Sequence, residues 1–364
     1  MRGGKRDEEF MALALKLARR GTGWVSPNPM VGAVVVDGEG RILARGYHRR
    51  YGDLHAEREA LKKLGWKAPG ATMYVTLEPC CHHGKTPPCT EAIIQAGIAR
   101  VVVGTLDPNP LVGGKGVEAL RLAGIQVEVG VLEEECRDLN RAFFKWITTG
   151  LPWVVLKWAQ SLDGTMATAS GHSHWISGPE ALRYAHRLRA ESDAVLVGRE
   201  TAALDDPRLT VRLVKGRDPL RVVLDARLSL PLDLKVFSVP PPTLVFAMEA
   251  PLDKRFALEE KGVEVVTLGE VGDRIPLRRV LEELGRRQVS RLLVEGGGRV
   301  ITSFLKEGLA DEVQVILAPL LLGQGRSPVG DLGLERVDQG LRLEKVSYRR
   351  MGKDILVAAR LPGS

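Results

Sequence analysis

The chain has 364 residues, of which 44% are hydrophobic and 27% are charged, a composition typical of a soluble globular protein with about two domains. Its formal net charge of +7 comes from 52 Lys and Arg against 45 Asp and Glu, and these charges are not concentrated in a basic tail. No apolar run reaches the roughly 18 residues that a membrane span needs, and Lys16 interrupts a short apolar run near the start. We therefore expect a cytoplasmic protein without a signal peptide, and the four cysteines do not suggest a disulfide framework.

The first half of the chain alternates between strand and helix patterns after an initial amphipathic helix. Two apolar runs around the turn Asp37-Gly38-Glu39-Gly40 predict a β-hairpin. In chain order the predicted elements are helix 7–20, the rigid loop 26–29, strands 31–36 and 42–46, a helix whose first turn holds His55 and Glu57, strand 71–77, helix 90–96, strand 101–103, helix 115–123 and strand 125–129. This alternation predicts a mixed sheet flanked by helices.

A break near residues 148–152 separates a second alternating series from the first. Its predicted strands are 153–157, 193–197, 221–225, 243–248, 263–268, 291–295 and 312–317, and its predicted helices are 179–190, 253–261, 276–286 and 299–307. The end of the chain, 341–361, has the pattern of a long hairpin that turns at 351–354. The sequence thus predicts two α/β domains, 1–148 and 149–364.

The first half contains a group of residues with zinc-ligand chemistry. One imidazole, His55, and two thiols, Cys80 and Cys89, suit zinc with a fourth position left open for water, as a catalytic site requires. Glu57, two residues after His55, stands where zinc deaminases place the carboxylate that shuttles protons without binding the metal. The alternative is a structural zinc site, for which a fourth ligand is available within 81–83. Cys136 is expected to be an inert, packed helix residue.

The second half contains a glycine turn between a predicted strand and a predicted helix. Glu295-Gly296-Gly297-Gly298 lets backbone N–H groups approach a phosphate at a helix N-terminus, although a tight turn without any ligand explains the glycines equally well. Two polar, glycine-containing runs, 161–164 and 170–177, have the composition either of functional loops or of ordinary surface loops. Thr201 with Asp205-Asp206-Pro207 is predicted as a further polar turn of the same kind.

Taken together, the sequence resembles the bifunctional deaminase/reductase family of riboflavin biosynthesis over nearly its whole length. In the first half the resemblance rests on five runs: 27–32 (Pro-Asn-Pro-Met-Val-Gly), Gly46-Tyr47-His48, His55-Ala56-Glu57, 79–89 and Asp107-Pro108-Asn109-Pro110. The eight residues between Cys80 and Cys89 replace the shorter spacing of the general zinc deaminase signature, and this longer loop is a feature of the family.

The resemblance implies a fold and an activity for each half. The first half would have a cytidine-deaminase-like fold, bind one zinc per chain and deaminate 2,5-diamino-6-(5-phosphoribosylamino)pyrimidin-4-one, with Glu57 as the catalytic residue. The second would have a dihydrofolate-reductase-like α/β fold and use NADPH to reduce the ribosyl group of the product to ribityl. The expected partners are therefore phosphorylated pyrimidines, with no nucleic acid and no membrane, and the family suggests a homodimer or a larger homo-oligomer.

The resemblance also implies contact residues. Those expected to hold NADPH are Ala159, Trp175, Thr201, Asp205, Gly297, Gly298, Arg299, Val300, Ile301, Thr302 and Ser303. Those expected to hold substrate are Asn28, Ser173, Arg189, Leu209, Arg212 and Glu295. Arg189 and Arg212 suit phosphate clamps because a guanidinium group pairs bidentately with phosphate oxygens, but a surface salt bridge is the alternative for each. Lys157, on the first strand of the second half, is the candidate polar group near the reacting ribose.

Two other classes of function share parts of this pattern. A nucleic-acid deaminase would use the same His-Ala-Glu and Pro-Cys chemistry and would fit the pI near 9.3, but aromatic residues make up only 5% of the chain and no stacking surface is evident. A structural zinc module joined to a nucleotide-sensing domain has no use for a proton shuttle, so the presence of Glu57 argues against it.

Overall fold

A computed structural model describes residues 2–84, 87–110, 112–173, 176–238, 240–269 and 274–363. The chain divides into two compact units, with the boundary after Gly150. Trp175, which the resemblance assigns to NADPH, lies outside the described residues. Among the described residues, every helix is too short or too polar to cross a membrane.

The first unit consists of a five-stranded sheet with helices on both faces. Its elements are α1 (Arg2–Ala18), β1 (Gly32–Val36), β2 (Ile42–Tyr47), α2 (Ala56–Lys63), β3 (Thr72–Leu77), α3 (Cys89–Gln95), β4 (Arg100–Thr105), α4 (Lys115–Leu122), β5 (Gln126–Val129), α5 (Glu133–Leu139) and α6 (Arg141–Thr149). The strand order is β2-β1-β3-β4-β5. β1 is antiparallel to β2 and β3, whereas β3, β4 and β5 are parallel. The predicted mixed sheet is confirmed.

Both faces of this sheet are covered, which explains why its inner strands are apolar at successive positions. Val35 packs on one face with residues of α2, α3 and α4, and Val34 packs on the other with residues of α1 and α5. Cys136 on α5 is fully buried in the second cluster, and burial raises the pKa of its thiol to about 12. The expectation of a packed helix cysteine is confirmed, and burial with a raised pKa disfavours the reactive thiolate.

Helix α2 lies close against β2, and this approach depends on Gly46. A Cβ at Gly46 would overlap the carbonyl oxygen of Ala56 and would lie 2.7 Å from the backbone nitrogen of Ala60. Because α2 begins directly after His55, the glycine fixes where the first turn of this helix, with His55 and Glu57, stands relative to the sheet. The sequence prediction that both residues occupy the first turn is confirmed.

The second unit is built on a larger sheet. Its elements are β6 (Trp153–Ser161), β7 (Ala167–Thr168), α7 (Pro179–Glu191), β8 (Ala194–Gly198), α8 (Arg199–Asp205), β9 (Leu220–Leu224), β10 (Thr243–Ala247), α9 (Leu252–Glu260), β11 (Val263–Thr267), α10 (Leu277–Arg286), β12 (Arg291–Val294), α11 (Gly298–Lys306), β13 (Glu312–Ala318), β14 (Gly325–Arg326), β15 (Glu344–Met351) and β16 (Asp354–Arg360). The nine-stranded sheet has the order β11-β10-β9-β8-β12-β6-β13-β16-β15, and β7 pairs with β14 in a small separate sheet.

The strands from β11 to β13 are parallel, and β16 and β15 extend the sheet in antiparallel fashion. Strand β12 therefore enters the sheet between β6 and β8, and the carboxyl ends of all three strands meet at one edge. In sheets of this kind, ligands bind outside the carboxyl ends of the strands where the strand order reverses. One prediction is wrong here: Thr201 and Asp205 lie on helix α8, not on a polar turn, and Asp206 follows the helix in the left-handed conformation.

Candidate functional sites

The three predicted zinc ligands come together in the first unit. Nδ1 of His55 lies 3.5 Å from Sγ of Cys80 and 3.4 Å from Sγ of Cys89. The elements bring them together because His55 caps α2, Cys80 follows β3 and Cys89 opens α3. The side-chain hydrogen bond from Cys89 lowers the pKa of the Cys80 thiol to about 4, which favours the thiolate, the form that binds metal.

The donor set fits an open zinc site. Within the described residues, the three possible ligand atoms lie within 4.8 Å of one another and form a cluster that includes neither Cys81 nor the two histidines after it. One nitrogen and two sulfur ligands suit zinc, and three protein ligands are what catalytic zinc sites provide, whereas structural sites provide four. The geometry thus favours a catalytic over a structural metal.

Glu57 lies beside these ligands with an unmet hydrogen-bond requirement. Its side chain is buried, and in the part of the chain that the structure describes Oε2 has no hydrogen-bond partner. Burial raises the pKa of this carboxyl group above its ordinary value. A buried carboxylate oxygen is normally satisfied, so this one points to a polar group that arrives with metal or substrate. That is the position expected of a proton shuttle.

A cavity of about 230 Å³ opens onto this cluster, and Asn28 lines it as the resemblance implied. His48 also lines it and has two polar contacts: Nδ1 lies 3.0 Å from the carbonyl oxygen of Leu54, and Nε2 lies 3.2 Å from Nδ2 of Asn28. The carbonyl can only accept, so Nδ1 carries the proton and Nε2 accepts from the amide. Burial lowers the pKa of His48, which keeps this arrangement neutral. The carbonyl oxygen of Asn28 is thereby available to the cavity.

In the sequence, His48 was recognised only as part of the motif Gly46-Tyr47-His48, and no role was predicted for it. Its contact with the metal ligand is direct, because its ring stands edge-on to that of His55 with 5.3 Å between the ring centroids. Asp107 and Asn109 line the same cavity, and burial raises the pKa of Asp107 to about 6. These residues could have been predicted from their positions in the motifs Gly46-Tyr47-His48 and Asp107-Pro108-Asn109-Pro110.

A larger cleft of about 1340 Å³ lies in the second unit at the carboxyl ends of β6, β8 and β12. Most of the predicted contact residues line it together, namely Lys157, Ala159, Ser173, Arg189, Thr201, Asp205, Leu209, Glu295, Gly297, Gly298, Arg299, Thr302 and Ser303. Ser173 donates a hydrogen bond of 3.1 Å to Asp205, so a predicted substrate residue meets a predicted cofactor residue across the cleft.

Three predicted residues lie elsewhere. Ile301 is fully buried in the core behind α11, and Val300 packs against that core and lines the neighbouring cavity instead of this cleft. Both were predicted because they fall within the glycine turn and the helix that follows it, and the period of the helix turns them away from the cleft. The exposed side chain of Arg212 donates to the hydroxyl of Thr210 at 2.6 Å and also lies outside the cleft lining.

The expected phosphate clamp at Arg189 is occupied by a carboxylate. Nε and Nη2 of Arg189 donate to the two carboxylate oxygens of Glu295 at 2.8 and 2.7 Å, and Nη1 donates to the carbonyl oxygen of Thr210 at 3.2 Å. Both side chains are nearly buried, and a buried charge requires such a partner. Burial acts to raise the pKa of Glu295, but the charge and hydrogen bonds of Arg189 outweigh it and hold that pKa below its ordinary value.

Lys157 lies near the buried pair of Arg189 and Glu295. Burial lowers the pKa of its ammonium group, and the nearby charge of Glu295 partly offsets that effect. In the described part of the chain it has no hydrogen-bond partner, although it lines the cleft. Its Nζ–H groups are therefore available to a substrate hydroxyl or ring oxygen.

The glycine turn is shaped by close packing. A Cβ at Gly298 would lie 2.6 Å from the carbonyl oxygen of Ser327, and a Cβ at Gly297 would lie 3.1 Å from Oγ1 of Thr201. Gly297 caps α11 without any side-chain hydrogen bond, so the first N–H groups of this helix face the cleft without a protein cap. This arrangement suits a phosphate and favours the ligand-binding interpretation of the turn.

Comparisons with known proteins agree with this division. Residues 4–105 match the family described as the cytidine and deoxycytidylate deaminase zinc-binding region, and residues 152–357 match the RibD C-terminal domain. The riboflavin biosynthesis protein RibD of Aquifex aeolicus is 49% identical over 352 residues, which cover 96% of this chain and 97% of that protein.

Two solved structures are similar over nearly the whole chain. One is RibD of Acinetobacter baumannii, with a TM-score of 0.89 and 40% identity, covering 98% of this chain and 99% of that chain. The other, from Thermotoga maritima, is described as a diaminohydroxyphosphoribosylaminopyrimidine deaminase/5-amino-6-(5-phosphoribosylamino)uracil reductase, with a TM-score of 0.85 and 39% identity, covering 99% of both chains. The expected cytidine-deaminase-like and dihydrofolate-reductase-like α/β folds are confirmed.

Proposed function

Since the chain belongs to the RibD family of riboflavin biosynthesis proteins, we propose that it catalyses two successive reactions. The first is hydrolytic deamination of 2,5-diamino-6-(5-phosphoribosylamino)pyrimidin-4-one at the centre formed by His55, Cys80 and Cys89. The second is NADPH-dependent reduction of the ribosyl side chain of the product to ribityl in the cleft of the second unit. The observation that carries the proposal is the buried, unpaired oxygen of Glu57 beside three zinc-type ligands.

In the deaminase unit, zinc is the group that fits, at one ion per chain, and when bound it lowers the pKa of a water molecule towards neutral. Glu57 takes one proton from the attacking water and passes it to the ring nitrogen. It then takes the second proton from the hydroxyl group now on the ring carbon and passes it to the amine, which leaves as ammonia as the C–N bond breaks and the C=O bond forms. Burial supports this role, because the raised pKa of Glu57 lets it hold the proton between the two transfers. Asn28, fixed by His48, offers its carbonyl oxygen to the pyrimidine.

In the reductase unit, NADPH supplies a hydride when it is bound. The chain's own part is to position and protonate the ribose. Lys157 holds a proton at the cleft wall, and its lowered pKa makes that proton easier to transfer to the ring oxygen as the sugar opens. Glu295 accepts hydrogen bonds from the ribose hydroxyl groups, while Arg189 keeps it ionised. The glycine turn at the start of α11 receives a phosphate of the cofactor.

We further propose that the enzyme works in the cytoplasm as a homodimer or larger homo-oligomer assembled through the second unit. Strand β15 is at the edge of the nine-stranded sheet and is exposed along all but its last residue. Val346 and Tyr348 on this strand are 41% and 75% exposed, and long exposed edge strands are normally paired or covered. Light scattering of wild type and of Tyr348→Asp tests this: an oligomer that dissociates in the variant supports it, and a monomeric wild type contradicts it.

The proposed function is tested by supplying the purified protein with the diaminopyrimidine ribotide while ammonia release and NADPH absorbance are followed together. Ammonia release that precedes NADPH oxidation is the expected result. Ammonia without NADPH oxidation would contradict the reductase assignment, and the absence of both signals from folded, zinc-loaded protein would contradict the whole proposal. A nucleic-acid deaminase is the competing outcome, and release of ammonia from single-stranded RNA in place of the ribotide would favour it.

A further inference from the structure

A second cavity, of about 700 Å³, continues the cleft of the second unit over the ends of β8 and β9. The two cavities share a wall that includes Thr201, Gly297 and Ser303. Beyond that wall the second cavity is lined by the loop after β9 and by the segment leading into α10. None of the predicted cofactor and substrate contacts lies on that loop or on that segment, which form the outer part of the cavity.

Four arginines from separate segments line this second cavity: Arg199 at the start of α8, Arg227 after β9, Arg274 before α10 and Arg299 on α11. All four are exposed. Within the described residues, the guanidinium groups of Arg199 and Arg299 make neither a hydrogen bond nor an ion pair with the protein. We call these residues the arginine group.

The described carboxylates that line the cavity leave Arg199 and Arg299 unpaired. Glu200 is held by Arg326 at 2.7 Å. Asp225 is buried in its own loop, where its carboxylate accepts the backbone N–H of Leu230 at 2.9 Å and the hydroxyl of Ser229 at 3.0 Å. The charge of Arg274 acts on Glu307, and burial raises the pKa of the Glu307 carboxyl group. The described lining thus has four arginines against three carboxylates, so it is net positive and suits a compact dianion.

The position of the cavity identifies that dianion. A cofactor whose linking phosphates rest on the Gly297 turn extends from there in two directions, with one half in the cleft beside Lys157 and the other in the second cavity. Leu224, Ile275 and Val300 give the second cavity apolar lining suited to an adenine ring. The charge of four arginines exceeds what a neutral adenosine requires, but it suits a phosphate on the ribose of that adenosine.

We propose that the arginine group binds the 2′-phosphate of NADPH, and that Arg199 and Arg299 are the main determinants of the preference for NADPH over NADH. The inference rests on the proposed function, because it takes a nicotinamide cofactor to be bound in the cleft. It identifies the residues that bind the 2′-phosphate and so distinguish NADPH from NADH.

Calorimetry with 2′,5′-ADP, measured on the full zinc-loaded chain, tests the proposal without turnover. The expected result is binding to wild type and an increase in Kd of about tenfold in each of Arg199→Gln and Arg299→Gln, since each variant removes charge-assisted hydrogen bonds to phosphate. 5′-AMP, which lacks the 2′-phosphate, should bind more weakly and equally to all three proteins. Arg278→Gln, an exposed arginine on α10 that pairs with Glu282, is the matched control and should bind like wild type.

Kinetics with the deaminated substrate then separate the possible failures. The wild type should favour NADPH over NADH by at least about tenfold, and Arg199→Gln with Arg299→Gln in one chain should remove most of that preference through the KM for NADPH. Equal use of NADPH and NADH by the wild type would overturn the inference while leaving the reductase function intact. An unchanged preference and an unchanged Kd for 2′,5′-ADP in the double variant would overturn the role of these two arginines. Oxidation of neither cofactor would contradict the proposed function itself.

Discussion

Glu78 and Val117 are joined across 39 residues of sequence: Oε1 of the buried glutamate accepts the backbone N–H of Val117 at 3.0 Å, in the first turn of α4. The other carboxylate oxygen accepts the N–H of Gly114 at 2.9 Å and that of Asp107 at 3.1 Å. One carboxylate thus satisfies three N–H groups and fixes the loop that carries Asp107 and Asn109. Because Glu78 lies two residues before Cys80, it also joins that loop to the metal centre.

Replacing Glu78 with Ala should destabilise the first unit by about 3 kcal/mol, because three backbone N–H groups lose their acceptor in a buried setting. Deamination should fall with it, since the loop that lines the cavity loses its anchor. Chemical denaturation and ammonia release measure the two effects. The control is Glu118→Ala, which replaces an exposed glutamate on α4, and it should change stability by less than about 0.5 kcal/mol. An equally small effect of Glu78→Ala would contradict the anchoring role.

The metal centre could be predicted from the sequence because its chemistry lies in short motifs. His55, Glu57, Cys80 and Cys89 all stand in runs of distinctive composition, and an imidazole with two thiols permits few other functions. The alternation of strands and helices likewise predicted most of both sheets. Helices α6 and α8, of nine and seven residues, were missed because they are short, and tertiary packing decides such segments.

The partners of charged groups could not be predicted in the same way. Arg189 and Glu295 are 106 residues apart, and each was expected to contact the substrate rather than the other. Their pairing follows from the insertion of β12 between β6 and β8, which is a property of the sheet topology. The contact between Asn28 and His48 also depends on how the unit folds. Both residues lie in recognised motifs, but the sequence did not predict that they are in contact.

Glu57→Gln should reduce the rate of deamination by at least about a thousandfold, because the amide cannot transfer protons. Zinc content should stay near one ion per chain, since Glu57 is not among the predicted ligands. Metal analysis and ammonia release on the same preparation check both statements. As the control, the variant should still oxidise NADPH when it is given the deaminated substrate. Loss of zinc together with unfolding would instead make Glu57 part of the scaffold.

Glu295→Gln should abolish reduction and destabilise the second unit by about 3 kcal/mol, because Arg189 and Lys157 then lose the buried charge that both face. Deamination should persist. Arg189→Met in the same chain should recover part of the lost stability, so the two changes should not be additive. Glu259→Gln, which breaks an exposed pair with Arg255 on α9, is the control and should cost less than about 1 kcal/mol. Additive losses would show that the two buried side chains act independently.

His186 should make the second unit sensitive to acid. Its Nδ1 accepts the backbone N–H of Arg212 at 3.0 Å, which requires the neutral ring, and burial lowers its pKa from 6.5 to about 4. For a histidine whose pKa is lower in the folded state, the stabilisation is complete above the unfolded pKa and is lost as pH falls towards the folded pKa. Between pH 6.5 and 4 the wild type should therefore lose about 2 kcal/mol more unfolding free energy than His186→Gln, whose side chain does not titrate.

Denaturation series at several pH values give this difference, and His172→Gln, which replaces an exposed histidine, is the control. Parallel pH profiles for wild type and His186→Gln would show that the ring is not the source of acid sensitivity.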